Sequence, residues 1–387
     1  MGRGSYNAAD WNKLKNSRGI NADSTANEIF SGNKVNEKYL PQFITMRESR
    51  DSEDSPQSTP IIIGFDSTGS MGYLAAEIAK NSLNKTATMI LEKRPVTDPH
   101  IMCAAFTSPT ASVSTPALQV TQFEADIRVV EQLLEFHLSG GNRYSYDALV
   151  WYFALKHTSI DSYEKHKRKG FIFCIGDEVG DDGKSDIISS EDIKSVYNDD
   201  GEHGYTTREL YNAASEKYQI FHIITGSHTA GSLETWEPLI PGRNAVIEPE
   251  DIEFLAEVML SIMQVAGGMS KADAASQWTD KAKNAVEKAL STINVVPEPV
   301  PTVSTEPADE PVTRTAPVAE KAPGHNGVPV AKPVKEAKPI AVAKPVNAPK
   351  PMTEAKPVSE HKADDMPKSD ESSDKKGFFS KLFHKDK

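Results

Sequence analysis

Between residues 60 and 265, short apolar runs alternate with stretches whose apolar residues recur at helical spacing. The runs 61–65 (IIIGF), 101–106 (IMCAAF), 117–121 (ALQVT), 171–175 (FIFCI), 220–224 (IFHII) and 244–247 (NAVI) predict strands. Runs that stay apolar for four to six residues suit strands covered on both faces. Helical patterns lie between them near 73–93, 124–137, 145–158, 206–217 and 250–265. In the last of these, Ile252, Leu255, Ala256, Met259, Ile262 and Met263 form one stripe. This alternation predicts an α/β fold, a doubly wound and mainly parallel sheet with helices on both faces. The 117–121 strand follows 101–106 with no room for a helix, so these two are expected as antiparallel neighbours at an edge.

The flanks follow other patterns. Residues 1–57 are polar, with apolar anchors at Trp11, Ile29, Phe30, Leu40, Phe43 and Ile44. They predict an extension that packs partly on the main domain, itself taken as 58–265. An additional helix rich in Ala and Lys is expected within 266–293, over 270–292. From 294 to 374 the chain turns low in complexity. Lys332, Lys338, Lys344, Lys350, Lys356, Lys362 and Lys368 recur every six residues, and Pro follows the first five. A polyproline II helix has about three residues per turn, so that period keeps the lysines on one face of a semi-extended, disordered linker. Residues 375–387 differ again. Phe378 and Leu382 are four apart, as are Phe379 and Phe383, and lysines surround them. A short basic amphipathic helix there can rest weakly on an anionic membrane surface or dock in a partner's groove.

Composition narrows the function classes. Of 387 residues, 55 are Asp or Glu and 43 are Lys or Arg. The 15 basic and 14 acidic residues after position 296 nearly cancel, so residues 1–296 carry a net charge of −13. A folded region this acidic is a poor nucleic-acid binder, because phosphate contacts need clustered cations. Cys103 and Cys174 each sit inside an apolar run and read as core residues, which fits a reducing compartment. With no apolar run near the ~18 residues of a membrane span, a cytoplasmic location is expected, peripheral at the membrane if the C-terminal segment engages it.

The chemistry concentrates in IIIGFDSTGSMG, residues 61–72, where a strand ends in Asp66 and three hydroxyl residues follow at once. A nucleophilic serine elbow needs G-x-S-x-G, but Thr68 stands where the first glycine belongs before Ser70. A phosphate loop needs G-x-x-x-x-G-K-S/T. The nearest segment, EVGDDGKS at 178–185, replaces the first glycine with Glu178 and places Asp181 and Asp182 inside the loop, where they would repel phosphate. A divalent cation suits the stretch better. Mg²⁺ takes oxygen ligands and keeps several waters, and D-x-T-x-S turns Asp66, Thr68 and Ser70 towards one point. The competing local reading is capping of the following helix by Ser70. Asp177 ends the 171–175 strand, and ligands in such sheets bind beyond the carboxyl ends of the strands. The acidic segment 177–210 is expected to form a solvated rim beside the site.

On these residues, 58–265 resembles the von Willebrand factor type A domain family and its metal-ion-dependent adhesion site. The family's first loop, D-x-S-x-S, is matched by Asp66, Thr68 and Ser70. Its second loop supplies a Thr before a helix; in SGGNRYSYDAL (139–149) Asn142 stands about there, with Ser145 as the fallback. Its third loop supplies an Asp, matched by Asp177, but Glu178 follows where members often have Gly. That extra carboxylate would ligate the ion or line the rim. The resemblance implies a Rossmann-like fold and a Mg²⁺ or Mn²⁺ ion held by Asp66, Thr68, Ser70, Asn142 and Asp177. It also implies binding to a protein partner whose Asp or Glu completes the coordination. Two alternatives stay open: a metal-dependent hydrolase, with Glu178 or His203 as its base, and a metal-free scaffold with a degenerate site.

Overall fold

A computed structural model describes residues 8–21, 24, 34–71, 74, 77–109, 116–138, 144–226 and 229–297. All belong to one compact unit, Met1–Glu306; the second unit, Pro307–Lys387, lies outside the described residues, as do residues 298–374 of the linker expected from 294 and the Phe378–Phe383 segment. Ten strands occur among the described residues: β1 (Arg47–Ser49), β2 (Thr59–Asp66), β3 (Pro99–Phe106), β4 (Leu118–Val120) and β5 (Thr158–Ile160) come first. They are followed by β6 (Gly170–Gly176), β7 (Asp186–Ile188), β8 (Tyr205–Thr206), β9 (Tyr218–Ile224) and β10 (Asn244–Val246).

Six of these form the central sheet, in the order β10-β9-β6-β2-β3-β4. All neighbours are parallel except β3 and β4, the antiparallel edge pair expected from their short connection. Helices cover both faces, and the strand runs divide residue by residue between two cores. Ile61, Ile63, Phe65, Phe171, Phe173 and Ile175 enter one core with the helices Leu83–Lys93 and Leu255–Ala266. Ile62, Met102, Ala104, Ile172 and Cys174 enter the other, under Asp147–Lys156 and Thr207–Ala214. Side chains alternate across a strand, so only a run apolar throughout can serve both. Cys103 and Cys174 are buried free thiols in these cores, and burial pushes Cys103 up to about 12.

Several boundaries moved. The helix expected over 124–137 shortens to Arg128–Leu133, since Glu124 pairs with Ile101 as a bridge at the sheet edge. The single helix expected over 270–292 is two, Lys271–Ser276 and Asp280–Ser291, which part at Trp278, whose indole donates to Ser261 Oγ. Segment 177–210 carries structure of its own: β7 pairs with β8, and the helix Ser190–Tyr197 starts with a capping box at Ser189 and Asp192. Among the described residues, no helix is long and apolar enough to cross a membrane.

The N-terminal segment is bound into the fold more deeply than its polarity suggests. Trp11, Leu14, Ile20 and Tyr39 join the first core, and Ile44 the second. Of the other expected anchors, Leu40 is half-buried, Phe43 is exposed, and Ile29 and Phe30 lie outside the described residues. β1 pairs in parallel with β5. Beyond it, Arg50 donates to Asp161 at 2.8 Å and to Glu164 at 3.1 Å, while His166 meets Asp51 at 2.8 Å. Burial works to raise the Asp161 carboxyl, but hydrogen bonds from Lys165, the Asp51 amide and Arg50 hold it down at about 2. His100, fully buried in β3, is held between Ser49 Oγ (3.0 Å from Nδ1) and Ser55 Oγ (3.1 Å from Nε2).

Burial lowers His100 from 6.5 to about 4. In the unfolded chain it takes up a proton near 6.5, so folding is weakened as pH falls from there and the loss is complete near 4. The expected contribution is on the order of 3 kcal/mol at full effect, from about 1.36 kcal/mol per pK unit. Urea unfolding of wild type and His100→Asn at pH 7, 5.5 and 4.5 checks this. The difference between the two should shift in the variant's favour as pH falls, which cancels the titration of other groups.

Candidate metal centre

Three chain segments meet beyond the carboxyl ends of β2 and β6. Asp66 is the last residue of β2 and is fully buried; Asp177 directly follows β6 and is 1% exposed. Ser145 comes two residues before the helix Asp147–Lys156, which packs in the second core.

Hydrogen bonds join these segments into one cluster. Asp66 Oδ1 accepts the Thr68 amide at 2.7 Å, and Asp66 Oδ2 accepts Ser145 Oγ at 2.7 Å. Ser70 Oγ donates to Asp177 Oδ1 at 2.9 Å, and Thr68 Oγ1 lies 2.9 Å from Ser70 Oγ. Ser67 turns away, its amide and hydroxyl both donating to the Phe106 carbonyl of β3. The alternation inside D-x-T-x-S thus brings Thr68 and Ser70 to the carboxylates and anchors Ser67 to the sheet.

Among the described residues no basic side chain pairs with Asp66. Burial raises its carboxyl to about 7 against the hydrogen bonds from Thr68 and Ser145, and the neighbouring Asp177 charge adds to the rise. Two carboxylates in such a place are a focus of negative potential that a cation would relieve.

Of the residues singled out from sequence, Asp66, Thr68, Ser70, Ser145 and Asp177 come together here. Asn142 lies outside the described residues. Glu178 is half-buried at the rim, with its carboxylate towards the Val179 amide and its backbone carbonyl accepting the Trp236 indole N–H at 2.9 Å. His203 packs beside Tyr205 on β8.

Other contributors escaped sequence reasoning. Ser232 Oγ donates to the Asp177 carbonyl at 2.9 Å. Two glycines make room for the carboxylates: a Cβ on Gly176 would stand 3.2 Å from Asp66 Cβ, and one on Gly226 only 2.6 Å from Asp177 Cβ. Gly226 also has φ of +112°, where side-chain-bearing residues are strained. The available signal was its place: a glycine just past the apolar run 220–224, as Asp177 is just past 171–175.

The donor set is all oxygen, two carboxylates and three hydroxyls. Among the described residues no group of three or more His, Cys, Asp or Glu side chains is placed to hold a metal. This chemistry fits a hard cation that retains waters, such as Mg²⁺ or Mn²⁺, better than a metal that wants a closed nitrogen or sulfur shell.

No family model matches the chain, and no curated protein does. Among solved structures, the chain is similar to the pilus adhesin SpaC from Lactobacillus rhamnosus GG, at 12% identity and a TM-score of 0.37. The overlap covers 56% of this chain and 31% of the adhesin, so it spans under a third of that protein's length. It is also similar to proximal thread matrix protein 1 from the mussel byssus in the form described with a zinc-occupied MIDAS motif. There the identity is 8%, the TM-score 0.35, and the cover 54% of this chain and 48% of that one. Overlaps at this level bear on neither the family nor the site.

Gly226→Ala tests how far the site depends on backbone approach. The added methyl must displace Asp177 while the backbone is held at unfavourable φ, so a loss of about 1–3 kcal/mol is expected. Gly231→Ala, where a Cβ meets nothing within 4 Å, should cost little. Chemical denaturation of both variants in chelator gives the comparison.

Proposed function

We propose that Asp66, Thr68, Ser70, Ser145 and Asp177 hold a divalent cation, Mg²⁺ or Mn²⁺, in the manner of a von Willebrand factor A domain. The ion then engages an Asp or Glu of a protein partner. The observation that carries this reading is the joining of two strand-end carboxylates, 111 positions apart in the chain, through neutral hydroxyls and the Thr68 amide, with no cationic side chain in the link. Asn142 is proposed to add an oxygen from the same loop as Ser145.

The three hydroxyl ligands are neutral, so the two carboxylates at most balance the charge of a dication, and an outside carboxylate can still replace one of its waters as a further ligand. The ion is also what makes an acidic partner tolerable. Residues 1–296 carry −13, and a carboxylate approaching Asp66 and Asp177 without the ion would be repelled. Exposed apolar groups support a protein rather than a small ion as the occupant. Tyr144, 57% exposed, adjoins Ser145, and Val179, 47% exposed, lies two residues past Asp177. An acidic residue flanked by an apolar side chain would match that rim.

Calorimetric titration and thermal unfolding with Mg²⁺ and Mn²⁺ test the ion. At 100 times its dissociation constant, the cation should stabilise the wild type by about 2.7 kcal/mol, and Asp66→Ala should abolish both the heat and the stabilisation. Absence of any response in the wild type rejects the reading. Affinity capture with and without chelator then tests the partner, whose retention should require the ion.

A further inference from the structure

Beneath the proposed centre, the second core holds a polar group that no part of the site uses directly. Asp147, the first residue of its helix, is 3% exposed and its Oδ2 lies 2.6 Å from Nδ1 of His222, which is 1% exposed in the middle of β9. A carboxylate only accepts, so Nδ1 carries the hydrogen of this bond. The other ring nitrogen, Nε2, is buried with no hydrogen-bond partner among the described residues. Hydrogen-bonding atoms are rarely left so in a core, and each case calls for an explanation. A leucine at 222 paired with an apolar residue at 147 would fill the layer at no such cost.

The placement of the pair supplies the explanation. Asp147 is two residues past Ser145, the hydroxyl that holds Asp66 Oδ2. The ring of His222 packs on Trp236 with centroids 4.5 Å apart. Trp236 donates its indole N–H to the carbonyl of Glu178, the residue after Asp177. One continuous set of contacts therefore runs from the Ser145 loop, through Asp147, His222 and Trp236, to the Asp177 loop.

We infer that Asp147, His222 and Trp236 form a buried brace that sets the spacing of the Ser145 and Asp177 loops and so positions the ligands of the divalent cation. The inference rests on the metal reading above. The three residues touch no ion. They are positioning residues, comparable to the outer-shell partners whose loss typically weakens metal binding by roughly 10–100-fold. The hydrogen bond also explains why a histidine interrupts the apolar run of β9: an imidazole can reach the carboxylate at the helix start and still stack on the indole.

The test is Mn²⁺ binding by the full chain, read by electron paramagnetic resonance and calorimetry, alongside unfolding in chelator. His222→Leu keeps bulk but removes the donor, and should weaken Mn²⁺ by roughly 10–100-fold. His222→Asn places an amide N–H where Nδ1–H was, and should restore most of the affinity. A role confined to stability would lower the melting temperature in chelator and leave the affinity of the folded protein at the wild-type value, which overturns the brace. If His222→Leu does not fold, because Asp147 is left buried without its donor, Trp236→Phe decides. It keeps a ring against His222 but removes the bond to the Glu178 carbonyl; weaker Mn²⁺ binding is expected, and wild-type binding overturns the inference. Asp66→Ala separates the two layers of the proposal. A wild type that binds no Mn²⁺ overturns centre and brace together. A wild type that binds, with Asp66→Ala silent and His222→Leu unchanged, overturns the brace alone.

Discussion

Two carboxylates held at the same end of one parallel sheet are the constraint around which this molecule is arranged. Asp66 and Asp177 repel each other, and burial adds to the cost of their charges. Their proximity is therefore an expense that the remaining structure must sustain. Three hydroxyls and a backbone amide offset part of it. Gly176 and Gly226 supply the room, since a methyl at either position would crowd an aspartate. A rigid platform supplies the rest: β2, β6 and β9 pair in unbroken parallel register, with apolar side chains in both cores.

The two faces of the sheet serve the centre differently. On one, the helices Leu83–Lys93 and Leu255–Ala266 fill an apolar core in which the N-terminal residues Trp11, Leu14 and Ile20 also lie. On the other, polar groups reach into the core close to the centre. Asp147, His222 and Trp236 there link two loops that belong to different parts of the chain. Further from the centre, the Arg50–Asp161 ion pair and the His166–Asp51 hydrogen bond fasten the N-terminal segment beside β5. Polar groups on this face thus work as ties between segments.

Much of the architecture was legible because it is written locally. The strand runs showed themselves as apolar throughout, and the short gap between β3 and β4 left only an antiparallel pairing. Asp66, Thr68 and Ser70 were legible for the same reason, being neighbours in sequence whose alternation turns them one way. Asp177 was legible from its place after a strand. The contact of Ser145 with Asp66 was not legible, because a loop's path cannot be read from spacing. The 270–292 helix was misjudged as continuous because helical propensity does not register that Trp278 is drawn to Ser261.

The chain's own pattern of residues determined which segments are buried strands, where each ends, and which side chains near those ends bear oxygen. Burial periodicity and strand endings are local properties, so a linear sequence carries them. Only the tertiary structure decided which ends become neighbours. Asp177 meets Ser70 across 107 positions, Ser145 meets Asp66 across 79, and His222 meets Asp147 across 75. Those encounters are set by strand order and register. They arise from packing two cores at once, which no single stretch of sequence encodes.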